Sequence, residues 1–237
     1  TRGPRTLVPP GCSHVRMDVD DEESVTSGVA EVLERAGHVD VLVNNAGFGY
    51  AGAVEDMTID EARHQFETNF FGMHRLCRAV LPQMRARRAG RIVNMSSLGG
   101  LVGIPFQAMY CASKFAVEGY TEALRMELRP FGIQVAMIEP GDFATRFTAS
   151  RRMIAASSPQ SPYAERCAIA VRRMAEDESS NPDIAPVVRA AVRAIEARRP
   201  RLRYPAANAL QRTLVALRPL LPQPLFEYLI MDNYGIR

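Results

Sequence analysis

The sequence predicts an α/β fold: a single doubly wound domain with a mainly parallel sheet. Three observations carry this. Short β-branched runs alternate with helical segments along the chain. Each run ends in a polar or glycine-containing loop. The chemically richest residues fall in those loops, and doubly wound sheets gather ligands outside the carboxyl ends of their strands.

The elements follow in order. Asp20 and Glu23 have capping-box spacing ahead of a helix over residues 25–36. Residues 39–43 (VDVLV) read as a buried strand ending at Asn44-Asn45-Ala46-Gly47. Thr58 and Glu61 repeat the capping spacing ahead of a long helical segment running to about Arg87. A second strand over residues 91–95 ends at Ser96-Ser97. A helix over residues 110–129 places Ala112, Phe115, Ala116, Gly119, Tyr120 and Ala123 on one stripe, with Glu118, Glu122, Arg125 and Arg129 off it. A third strand over residues 133–138 ends at Glu139-Pro140-Gly141, and a weaker fourth over residues 201–204 ends at Pro205. Residues 151–197 read as helices with loops, and the tail after Asn208 as helical and proline-broken.

Composition narrows the function classes. At 237 residues, 47% hydrophobic and 23% charged, the chain reads as an ordinary globular protein. A net charge of +3, without an aromatic-interleaved basic stripe, argues against nucleic acid as a partner. The arginines at 85, 87, 88 and 91, and at 198, 199, 201 and 203, read as solvated cations at element ends. Cys12, Cys77, Cys111 and Cys167 show no paired spacing, so free thiols in a cytoplasmic protein are expected. No apolar run is long enough for an integral membrane segment, and Leu214 to Leu221 reads as a packing helix. The four histidines form no metal-binding cluster, so no metal is expected. Gly47, Gly49 and Gly52 formally match a phosphate-loop pattern but do not open a helix.

Lys114 is the one lysine among 29 basic residues. A position that keeps lysine in so arginine-rich a chain points to a need for a compact ammonium on a thin stem. Tyr110 lies four residues earlier, on the same helix face. A free phenol has a pKa of about 10. A neighbouring ammonium favours its phenolate, which suits it to exchange a proton near neutrality.

Several motifs at mutually consistent spacing resemble the short-chain dehydrogenase/reductase family, over residues 18–145 and more loosely to 204. The resemblance implies a Rossmann-type fold and reversible hydride transfer between a nicotinamide cofactor and a carbonyl or secondary alcohol. Tyr110 and Lys114 match its catalytic pair, with Lys114 also holding the nicotinamide ribose. Ser97, thirteen residues before Tyr110, matches its catalytic serine; Ser96 is the adjacent competitor. Asn69 matches an asparagine that holds a relay water in relatives. For the cofactor, Asp18 and Val19 match the adenine contact. Asn44, Asn45, Ala46 and Gly47 match the adenosine-ribose side. Pro140, Gly141, Phe143 and Thr145 match the segment that grips the carboxamide.

The resemblance also implies more than it covers. The family's glycine-rich first turn is absent, and the expected first strand-helix-strand unit is missing. The chain is therefore expected to be either part of a longer enzyme or a cofactor-impaired relative that acts as a scaffold or partner-binding protein. Arg2 falls where relatives place an arginine for a 2′-phosphate, which leans the cofactor to NADP rather than NAD. The stretches around residues 99–106, 110–119 and 202–204 are similar to the 17β-hydroxysteroid and retinol dehydrogenase branch. That implies a lipophilic substrate in a pocket of Leu98, Ile104, Pro105, Met109 and Phe147, with residues 146–200 supplying substrate-side helices. Relatives form dimers or tetramers through two long helices, here about residues 58–87 and 110–129.

Overall fold

A computed structural model describes residues 9–237. The expected 2′-phosphate contact, Arg2, lies outside them. The chain begins with α1 (Glu22–Ala36), β1 (Val41–Asn44) and the short β2 (Tyr50–Ala51). Next come α2 (Ile59–Phe66), a π-type turn (Glu67–Phe71), α3 (Gly72–Arg87) and β3 (Gly90–Met95). Then follow α4 (Ala108–Leu128), β4 (Ile133–Pro140), α5 (Arg146–Ser150), β5 (Arg152–Met153) and α6 (Ala164–Ser179). The chain closes with α7 (Ala185–Glu196), β6 (Arg203–Ala206), α8 (Ala209–Leu217) and α9 (Gln223–Asn233).

The main sheet runs β1-β3-β4-β6, parallel throughout, with Asn44 opposite Asn94, Met95 opposite Ile138 and Pro140 opposite Ala206. A second ribbon pairs β2 with β5. Alternation along the central strands divides the core, because successive side chains leave opposite faces. Ile92 and Val135 join Met73, Val80, Met84, Val117 and Leu124 on the side covered by α1, α3 and α4. Val93, Ala136 and Ile138 meet Ala190 and Ala194 of α7 on the other. The tail packs Phe226, Ile230 and Tyr234 onto Ala170 and Met174 of α6, with Leu214 and Leu221 against that cluster. No described helix is long and apolar enough to cross a membrane.

Five expectations need correction. The cap of α1 is Asp21, whose carboxylate accepts the Ser24 N–H at 2.6 Å. Asp18 Oδ1 accepts the Asp20 N–H in a local turn, so Asp20 stays outside the helix and accepts instead from the Thr68 hydroxyl at 2.9 Å. The Thr58–Glu61 capping box forms as expected, but the segment behind it is broken by the π-type turn. The fourth strand is shifted and contains Pro205, tolerated because β6 is the edge of the main sheet.

The fourth correction concerns α4. Its buried face carries Tyr110, Lys114, Val117, Thr121, Leu124 and Leu128, while Ala112, Gly119 and Ala123 face outward and Phe115 is 40% exposed. Both stripes have helical spacing, and the polar one is buried because its members find partners. Thr121 Oγ1 accepts from Asn94 and donates to the Val117 carbonyl. Finally, Arg91 and Arg203 are not solvated cations. Arg91 donates to the Ala194 and Ala197 carbonyls at 3.0 and 2.8 Å, where unsatisfied acceptors end α7. Arg203 from β6 pairs with Glu118 and Glu122 of α4 and Glu139 of β4.

Candidate active site

The strands β1, β3 and β4 all end at one edge, and a cavity of about 590 Å³ opens beyond their carboxyl ends. Ser97, Tyr110 and Lys114 line it together. Ser97 leaves β3 in extended backbone and caps the turn at Leu98–Gly100, its Oγ accepting the Gly99 N–H at 3.1 Å. Tyr110 and Lys114 are one helical turn apart on α4 and are 7% and 6% exposed. The Lys114 ammonium donates to the Met95 carbonyl at 2.8 Å and stands 5.9 Å from the centre of the Tyr110 ring.

Burial sets the electrostatics here. It pushes the Tyr110 phenol above its ordinary value, against the opposing hydrogen bond with Ser97; Cys111, Asp142 and Glu178 push it further up. The expected acidification by Lys114 is not seen: burial is the largest influence on the phenol, and Ser97, not the ammonium, is the group that lowers it. Burial also pulls Lys114 down to about 8, opposed by the charge of Glu118. At neutral pH the pair is thus a neutral phenol beside an ammonium.

Ser96, the competitor, also lines the cavity but is buried, with its hydroxyl on the side of the Glu118 carboxyl, whereas Ser97 hydrogen-bonds Tyr110. Asn69 lies in the π-type turn and is 2% exposed. It does not line the cavity. Its amide donates to the Phe48 carbonyl at 3.0 Å and to Ser113 Oγ at 3.1 Å, and its oxygen accepts the Phe48 N–H. It anchors the loop that carries Gly47.

The expected cofactor residues divide. Asn45, Gly47, Pro140, Gly141, Phe143 and Thr145 line the cavity. Asn44 does not: it is buried, donating to Asn94 Oδ1 at 2.8 Å across the sheet. Ala46 is exposed on the same loop without lining the cavity. Asp18 and Val19 sit instead at the entry to α1 and against α3. The Asp18 N–H donates to Ser24 Oγ, the Val19 carbonyl accepts from Arg75, and the Val19 side chain packs on Gly72. Of the expected apolar pocket, Ile104 and Phe147 line the cavity, whereas Leu98, Pro105 and Met109 do not. Among the residues missed by sequence reasoning are Gln107, Asp142, Ser150, Glu178, Ile184, Val187 and Val188. Only Asp142 carried a signal, being a charge directly after Pro140-Gly141. The others reach the cavity through tertiary packing. No metal-binding group of His, Cys, Asp and Glu occurs among the described residues.

A parallel doubly wound sheet with serine, tyrosine and lysine gathered beyond its strand ends defines an α/β oxidoreductase. The chain belongs to the short chain dehydrogenase family, whose sequence profile matches residues 10–154. A 3-ketodihydrosphingosine reductase of Bacteroides thetaiotaomicron is 38% identical over 221 residues, covering 93% of this chain and 82% of that protein. Human retinol dehydrogenase 8 is 46% identical over 132 residues, which are 56% of this chain and 42% of that protein. A short-chain dehydrogenase from Streptomyces avermitilis superposes with a TM-score of 0.79 at 33% identity, over 96% of this chain and 81% of that one. A Burkholderia phymatum family member, solved in complex with NAD, has a TM-score of 0.75 at 28% identity, over 87% and 74% of the two chains. ElxO with NADP bound has a TM-score of 0.54 at 32% identity, covering 55% and 53%.

Proposed function

We propose that this oxidoreductase uses NADP or NAD to interconvert a lipophilic ketone and its secondary alcohol, working as one domain whose residues 146–200 close the substrate side. The observation that carries the reading is the convergence of Ser97, Tyr110 and Lys114 in one cavity. The residues present fit a dinucleotide. Among the described residues, Lys114 has a single hydrogen-bond partner, Met95, and it lines the cavity. A Cβ at Gly47 would come within 3.2 Å of Asn69 Oδ1 and 3.8 Å of Lys114 Nζ, so glycine keeps this wall open. Lys114, Asn45, Gly47, Pro140, Gly141, Phe143 and Thr145 would hold the cofactor.

A reduced nicotinamide supplies hydride to the carbonyl carbon. Tyr110 donates its proton to the carbonyl oxygen, and the hydroxyl of Ser97 steadies that oxygen. The neutral phenol set by burial is the form that reduction needs. Lys114 holds the cofactor and faces the phenol with positive charge as its proton leaves. Asn69 acts as a positioning residue for the Gly47 loop. Ile104, Phe143, Phe147 and Val187 give the cavity apolar walls, which supports a lipophilic substrate. So does the 3-ketodihydrosphingosine reductase relative. A scaffold role is the poorer reading, since it leaves a buried, singly partnered ammonium without purpose.

The test is oxidation of NADPH and NADH by the purified protein with long-chain ketones, beside Tyr110→Phe. Turnover lost in Y110F supports the reading; indifference to both nucleotides across the panel sinks it.

A further inference from the structure

Hydride transfer leaves one charged group in the cavity without a role. Asp142 follows Pro140-Gly141 directly and lines the cavity. Its position is held from two sides. Its carbonyl accepts from Asn181 Nδ2 at 3.1 Å, and its carboxylate accepts from the side-chain amide of Gln211.

Among the described residues, none forms an ion pair with this carboxylate. Arg151 acts on Asp142 through its charge, but its guanidinium is bonded to Glu178. Glu178 has a further donor in the Thr148 hydroxyl at 2.5 Å. Of the two carboxylates lining the cavity, Glu178 is thus neutralised within the protein and Asp142 is not. Burial, then the charges of Glu178 and Asp177, push Asp142 up to about 6, so it is largely ionised at neutral pH. A desolvated carboxylate without a cation is costly, and such groups are found paired.

The place of Asp142 narrows the partner. Asp142 lines the same cavity as Ser97 and Tyr110. A substrate whose carbonyl oxygen meets Tyr110 and Ser97 would share that cavity with the Asp142 carboxylate. The remaining walls, Ile104, Phe143 and Phe147 among them, suit a hydrocarbon chain.

Resting on the ketone-reductase reading above, we infer that the substrate is a long-chain amino ketone, its ammonium close to the carbonyl and bound by the Asp142 carboxylate. The redox step is unchanged: hydride adds to the carbonyl carbon, the Tyr110 proton adds to oxygen, and the reduced nicotinamide is oxidised. The ammonium keeps its proton throughout. Asp142 is a specificity residue that orients the carbonyl through the neighbouring charge.

The test compares kcat/KM, with NADPH or NADH, for 3-ketodihydrosphingosine and for the chain-matched hydroxy ketone without the amine. The wild type should favour the amino ketone by roughly 30-fold or more, the scale of one buried charge pair. N-acetylation of the amine should remove the preference. Asp142→Asn should bring the ratio down to within about threefold, and Asp142→Glu should restore part of it. Equal use of the two ketones by the wild type overturns the inference while leaving the reductase reading intact. So does an unchanged ratio in D142N. Failure to turn over either ketone sinks both readings. The wild-type comparison stands even if D142N does not fold.

Discussion

Asn69 and Phe48 exchange two hydrogen bonds, amide to carbonyl and N–H to amide oxygen, each at 3.0 Å. This pairing ties the π-type turn before α3 to the loop after β1. An amide is required, because the side chain both donates and accepts. Asn69→Asp should keep the shape but set a carboxylate oxygen against the Phe48 carbonyl. We expect a loss of about 1–3 kcal/mol in urea unfolding, together with a raised KM for the nucleotide. Unchanged values for both would remove the positioning role.

Lys114 occupies a slot only 6% exposed, ending at the Met95 carbonyl. A guanidinium is wider and carries its donors in a rigid fork. Lys114→Arg should lower kcat by on the order of 100-fold or more although the charge is kept. Steady-state kinetics beside circular dichroism would separate this from misfolding, and near-native kcat in a folded K114R would contradict it.

Glu139 and Glu118 face each other across Arg203, 2% and 5% exposed, with Ser96, Lys114 and Glu122 around them. Burial, reinforced by Glu118, pushes Glu139 up to about 7. The folded protein therefore holds a proton that the unfolded chain releases near the ordinary glutamate value of 4.5. This contribution to stability is complete below that value and is lost as pH rises to about 7. Urea midpoints should fall over that range in the wild type and fall less steeply in Glu139→Gln. An equal slope in both would show that the proton lies elsewhere.

Gly119 stands mid-helix on the outward face of α4, where an added Cβ meets nothing within 4 Å. Neighbouring Ala112, Phe115 and Ala123 are also exposed. We propose this face as the contact between copies. Gly119→Ala should then be tolerated, helped by about 1 kcal/mol of helix propensity, whereas Gly119→Arg should dissociate the oligomer. Light scattering decides: a wild-type monomer, or a G119R variant of unchanged mass, ends the proposal.

The local signals in the chain were sufficient for some features. Capping at Thr58–Glu61 rests on groups three residues apart, and the central strands are legible because β-branched runs are buried on both faces. Tyr110 and Lys114 share a face by helical period alone. Asn44 was harder. Its motif fits a cofactor loop, yet its side chain turns inward to Asn94, fifty residues away.

By itself, then, the order of amino acids determined the alternation of strands and helices, the strand ends where chemistry collects, and the shared helix face of Tyr110 and Lys114. These follow from short-range periodicity and spacing, which any stretch of chain carries within itself; Ser97 was added by the family resemblance. Only the tertiary structure decided which stripe of α4 is buried, that Arg203 serves two buried carboxylates, and that Asp142 lines the cavity with no ion pair among the described residues. Those outcomes depend on burial and on partners brought together from distant segments, and the field at a charged group is set by what surrounds it in space.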